Sequence, residues 1–133
     1  LIEVYTDAAA SGDPGPSAAG IIIKKGQSLS EYTFYLGEKT NHEAEFLAVI
    51  KALEVCVDLF PGEIISVRSD AKIVVDTMEK NFTKNEQFRP MFEKILILQE
   101  RFPYVFYKWI PEKNNKNADR LAREALQNYT KPR

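Results

Sequence analysis

Little in this chain suits redox or covalent chemistry. Among its 133 residues there is one cysteine, Cys56, one histidine, His42, and one tryptophan, Trp109. A single cysteine excludes an internal disulfide and any CxxC metal or redox motif, and a buried free thiol on a helical apolar stripe suits a reducing, cytoplasmic setting. No apolar run approaches the length of a membrane-spanning helix, so no membrane partner is expected. A charged-then-apolar leader is missing from the start, although a chain that opens on Leu1 reads as a partial one. Also missing are a glycine-rich phosphate loop leading into a helix and a serine–histidine pair in motif context. Nucleotide-binding and covalent-hydrolase readings lose ground accordingly.

What the chain does have is an ordinary globular balance, 44% hydrophobic and 28% charged, with a net charge of −1. Its length fits one domain over residues 1–133 with one substantial core. Strands are expected at 2–7, 18–25 and 29–36, the first followed by the dense turn chemistry of Ser11-Gly12-Asp13-Pro14-Gly15-Pro16. A helix pattern follows over 41–58, with Ala44, Leu47, Ala48, Ala52 and Leu53 at helical spacing. Strand 64–69 then leads into helix 71–80. A helix over 86–101, a strand over 104–110 and a helix over 115–128 complete the chain. Three strands followed by alternation predict an α/β fold with a mixed sheet and helices packed against it.

Four acids stand at the ends of these elements. Asp7 closes the first strand and Asp70 the fourth, while Glu45 and Asp119 lie early in helices. Each has an ordinary structural explanation. Asp7 could accept backbone hydrogen bonds after its strand, Asp70 could cap the helix that follows, and Asp119 could favour the positive end of its helix. Glu45 resists such an explanation best, because it shares a helix face with Ala48, Val49, Ala52 and Cys56. A carboxylate leading an inward face is costly unless something pairs with it. Carboxylates gathered in this way suit hard divalent cations, and paired cations are the usual means of breaking a phosphodiester. Setting the four acids aside leaves +3 on the rest of the chain, so net charge does not exclude a nucleic-acid partner. His42 at a helix start reads as incidental. Trp109, alternating with Val105 and Tyr107, reads as sheet-face packing rather than a stacking platform.

Four segments together resemble the type 1 ribonucleases H of the compact bacterial and plant-like branch. They are Thr6-Asp7-Ala8-Ala9-Ala10-Ser11-Gly12-Asp13-Pro14-Gly15-Pro16, Thr40-Asn41-His42-Glu43-Ala44-Glu45, Ser69-Asp70-Ala71, and the stretch from Trp109-Ile110-Pro111 to Asn117-Ala118-Asp119-Arg120-Leu121-Ala122. The resemblance runs from Ile2 to about Leu126. It implies a ribonuclease H-like five-stranded mixed sheet in the order 3-2-1-4-5, strand 2 antiparallel, flanked by helices. It also implies cleavage of the RNA strand of RNA/DNA hybrids to 5′-phosphate and 3′-hydroxyl ends. Asp7, Glu45, Asp70 and Asp119 would hold two Mg²⁺ ions, with Mn²⁺ as a substitute, and Glu45 would also lie near the RNA 2′-hydroxyl.

The same resemblance places Thr40 and Asn41 where a DNA-strand phosphate is held and Asp13 and His42 at substrate-contacting positions. Lys72, a lysine near the acids, is a further candidate phosphate contact, and a monomer is expected. There are four departures from the family pattern. Asp13 replaces an asparagine, His42 replaces a base-contacting asparagine, and the 111–118 loop lacks a histidine, for which Glu112 is the candidate substitute. Residues 81–90 are too short for the basic handle of some members. These departures keep two alternatives open: a weakly active or inactive nucleic-acid-binding protein of the same fold, or a nuclease of that fold acting on other RNA or DNA.

Overall fold

The computed structural model describes residues 1–131. Strand β1 (Ile2–Ala10) runs through the middle of the sheet, with β2 (Gly15–Lys25) antiparallel on one side and β4 (Ile65–Ser69) parallel on the other. Strand β3 (Ser28–Lys39) pairs antiparallel with β2, and β5 (Val105–Trp109) pairs parallel with β4. The order is β3-β2-β1-β4-β5, as the resemblance implies. Helices α1 (Asn41–Leu59), α2 (Lys72–Lys80), α3 (Arg89–Gln99) and α4 (Lys116–Thr130) complete the fold.

The alternation of β1 divides its side chains between two environments. Ile2 and Val4 point into the main core, where Ile21, Ile23, Phe46, Val49, Leu53, Ile65, Val67 and Ile95 surround them. Asp7 belongs to the other set, with Glu3 and Tyr5. A smaller cluster of Ile22, Ala118 and Leu121, with Tyr5 against it, seats α4 on that second face. Gly20 permits the seating: a Cβ there would collide with the Ala118 carbonyl and the Ala122 backbone. Glycine in β2 therefore sets how closely α4, and with it Asp119, approaches the sheet. Cys56 is a buried free thiol on the inner face of α1, as its stripe predicts.

Three local expectations are corrected. Strand β1 continues through Ala8–Ala10, and β2 begins at Gly15, because these small residues pair with Ser17–Ala19 before the turn takes over. Helix α3 begins at Arg89, not 86. The Thr83 hydroxyl and Asn85 carboxamide accept from the backbone of Asn85 and Gln87, holding a turn, and Pro90 then fits the first helical turn. Trp109 does not pack in the sheet. At the end of an edge strand it is 48% exposed, and its indole N–H donates to the Asp70 carbonyl at 3.2 Å.

Candidate functional site

Parallel pairing of β1 with β4 brings two acids side by side. Tyr5 is opposite Arg68 and Thr6 opposite Ser69, so the register delivers Asp7 and Asp70 to the same carboxyl end of the sheet. Glu45 reaches them from the first turns of α1. That helix starts with a capping box: the Thr40 hydroxyl accepts from Glu43 N–H at 3.2 Å, and the Glu43 carboxylate accepts from Thr40 N–H at 2.9 Å. The cap fixes where the helix begins, and with it the turn that carries Glu45.

Carboxylate oxygens of Asp7, Glu45 and Asp70 lie within 4.8 Å of one another. Burial and neighbouring carboxylates shift all three in the same direction. Asp7 is pushed up to about 7, first by burial and then by Asp70, with Asp119 adding to the effect and the Ala8 N–H, 2.9 Å away, opposing it. Glu45 is raised well above its ordinary value by burial, then by Asp7 and Asp70. Asp70 is raised by burial and then by Glu112, and is opposed in part by Asn115. One oxygen of Glu45 is buried with no hydrogen-bond partner. An orphaned buried carboxylate oxygen beside two more carboxylates suits a hard divalent cation, which prefers oxygen ligands. The donor set therefore fits a metal ion.

Asp119 lines the same cleft but takes no part in the tight triad. Its Oδ1 accepts from Arg123 Nε at 3.0 Å, one turn along α4. The cleft, ≈ 460 Å³ in volume, is also lined by Asn41, His42, Lys72 and Glu112. Of the residues expected from the sequence, Thr40 and Asp13 stay just outside it. Thr40 is engaged in the cap, and Asp13 accepts the Asn41 backbone N–H at 2.8 Å. The exposed carboxylate of Asp13 thus sits at the start of α1, where the positive end of the helix would otherwise face an incoming anion. His42 is exposed and meets the Phe88 ring edge-on at 5.8 Å between centroids.

Residues 5–125 match the family model described as reverse transcriptase-like. LC11-RNase H1, solved in complex with an RNA/DNA hybrid, superposes with a TM-score of 0.90 at 33% identity, over 97% of this chain and 99% of that one. The chain is a member of the type 1 ribonuclease H family. The Ribonuclease H of Brucella anthropi is 32% identical over 143 residues, covering 96% of this chain and 91% of that protein. The EbsB protein of Enterococcus faecalis is 41% identical over 130 residues, covering 97% and 96%.

Two residues of the site have no role assigned from the sequence alone. Arg123 lines the cleft four residues after Asp119, a spacing at which side chains meet on a helix, and that spacing is the available signal. Asn115 is buried and donates from its carboxamide to the Thr6 carbonyl at 2.8 Å, tying the start of α4 to β1 beside Asp7. Nothing in local spacing announces that contact, which spans 109 positions.

Proposed function

We propose that this protein hydrolyses the RNA strand of RNA/DNA hybrids, leaving 5′-phosphate and 3′-hydroxyl ends, with two divalent cations, Mg²⁺ or Mn²⁺, held by Asp7, Glu45, Asp70 and Asp119. The observation that carries this reading is the buried, unpartnered oxygen of Glu45 within a triad of carboxylates. When bound, the cations would supply Lewis acidity, lowering the pKa of the attacking water and offsetting charge on the departing 3′ oxygen.

The remaining roles fall to the chain itself. Asp7, only 6% exposed, is central to the ligand set. Lys72, Asn41 and His42 form the wall along which a nucleic-acid backbone lies, and Thr40 offers its hydroxyl proton to a phosphate while its oxygen serves the cap. Glu45 stands closest in role to the 2′-hydroxyl that distinguishes RNA from DNA. Glu112, which follows β5 and lines the cleft near Asp70, would pass a proton at the cleft mouth. The LC11 relative in its hybrid complex supports the substrate class by likeness.

A monomer in the cytoplasm is part of the same proposal. Among the described residues, no helix is long and apolar enough to cross a membrane. A second reading, a weakly active hybrid-binding protein, is favoured by one observation: Asp13 occupies the Asn41 N–H at the start of α1.

The deciding measurement is cleavage of an end-labelled RNA strand, single, paired with RNA or paired with DNA, in Mg²⁺, Mn²⁺ or chelator, beside Asp70→Asn. Metal-dependent cutting of the hybrid alone, reduced by at least about 10²-fold in the variant, the scale of losing one electrostatic stabiliser, is the expected result. Hybrid binding without cutting in either metal would favour the second reading, and cutting that survives Asp70→Asn would overturn the assignment of the acids.

A further inference from the structure

Strand β5 leaves one edge of the sheet open. It pairs with β4 alone among the described residues, so the backbone groups on its outer side have no strand to meet. A groove of ≈ 530 Å³ follows that edge, at the amino end of the strand. The carboxylates of the cleft stand at the opposite, carboxyl ends of β1 and β4. An occupant of the groove therefore need not compete with one in the cleft.

Three features of the groove point to the same kind of partner. The first is aromatic. Tyr104 and Phe106 are 56% and 48% exposed, with ring centroids 4.3 Å apart, and form a preassembled apolar step on the open edge. Large exposed apolar surface of this kind marks interaction sites. The second is charge: the charged side chains lining the groove are Glu79 and Glu100, both exposed and both acidic. The third is the placement of two helix ends. Helix α2 stops at Lys80 with Asn81 as its cap, and α3 stops at Gln99 with Glu100 as its cap. Both carboxyl ends contribute to the groove lining. Such ends carry partial negative charge, which adds to that of the glutamates. Three basic residues flank the groove without lining it: Lys80 in the last turn of α2, Arg101 just after the α3 cap, and Lys108 further along β5.

From these we infer that the β5 edge is a docking site for an extended basic peptide segment of a partner protein, added as a sixth strand. Backbone hydrogen bonds to the open edge would supply affinity, and alternate side chains the selectivity. Arginines on the partner would face Glu79, Glu100 and the two helix ends, and would also find the faces of Tyr104 and Phe106. Single-stranded nucleic acid can stack on aromatic pairs as well, but the charged residues that line the groove, Glu79 and Glu100, would repel its phosphates.

The test uses fluorescein-labelled eight-residue peptides that alternate arginine with valine or tyrosine, beside the same peptides with glutamate for arginine, and labelled oligothymidylate. Anisotropy should show saturable binding of the basic peptides only. Binding should weaken at least tenfold in Phe106→Ala and in the double variant Glu79→Lys, Glu100→Lys, with hybrid cleavage unchanged in both. Amide NMR shifts should map to residues 104–108 and to the ends of α2 and α3. The proposal is overturned if no basic peptide saturates, if the shifts fall on cleft residues, or if oligothymidylate binds the groove instead. Sedimentation showing that the edge is already closed by a second copy, lost in Phe106→Ala, would overturn it as well.

Discussion

Arg123 donates its Nε–H to Asp119 Oδ1 at 3.0 Å, holding that carboxylate at the edge of the acid triad. The pair is separated by one helical turn, and the arginine is 72% exposed, so its contribution to stability is small, about 0.3–0.5 kcal/mol for such a spacing. Its importance is local, because it places a permanent positive charge at the rim of a cleft suited to cations and phosphates.

Arg123→Ala is therefore expected to act in opposite directions on the two ligands. Removing a cation from the rim should tighten divalent-metal binding a few-fold, read by calorimetry, and raise KM for the hybrid by a similar factor. Unchanged values for both would mean that Arg123 is a surface residue only.

The acid cluster should make the metal-free protein less stable as pH rises. Asp7 ionises near 3.8 in its ordinary state and only near 7 in the fold. Between those values the folded chain holds more protons than the unfolded one, so folding weakens with increasing pH and levels off above about 7. Asp7→Asn removes the Asp7 share of this dependence and eases the repulsion on Glu45, whose own raised carboxyl, with that of Asp70, keeps the remainder. In chelator, its advantage over the unsubstituted protein should be absent near pH 3.5 and grow as pH rises towards 7. Thermal melts across that range check the sign. Added Mg²⁺ should reverse it at pH 8.

Gly20→Val tests whether close seating of α4 builds the site. The new side chain must displace the backbone at Ala118 and Ala122, at a cost of about 1–3 kcal/mol for overpacking. Because Asn115 and Asp119 travel with that helix, metal affinity should fall further than the loss of stability alone explains. Urea unfolding together with metal titration separates the two.

Asp13→Asn should tighten hybrid binding while slightly loosening the fold. The charged form accepts the Asn41 N–H and favours the positive end of α1, an effect worth ~0.3–1 kcal/mol. Asparagine keeps an acceptor but drops the charge that repels phosphate. A lower hybrid Kd at low salt, with the difference shrinking as salt is added, is the expected pattern.

The sheet is largely legible in the sequence, and so are the acids. Short connections force the β1–β2–β3 meander, the helical stripe of α1 places Glu45 on its inward face, and Asp119 is marked by its position early in the last helix. Residues whose position depends on contacts far along the chain are not legible. Asn115 lies in the last of the four family-like segments, but its role is not legible there, since its partner is Thr6. Trp109 misleads because strand alternation says which way a side chain points but not whether any element covers it. The start of α3 escapes hydrophobic spacing because Thr83 and Asn85 bind their own neighbours' backbone, an alternative to helix that such spacing does not register.

Cys56 has one practical consequence. Its thiol is buried on α1 and pushed up to about 12 by that burial, so at neutral pH it is essentially un-ionised and closed to maleimides. The native sequence is thus already a blank background for site-directed labelling. A cysteine substituted at exposed Lys113 or Phe82 would be the sole reactive sulfhydryl, and a dye there would report nucleic acid entering the cleft or a peptide settling on the far edge without further engineering.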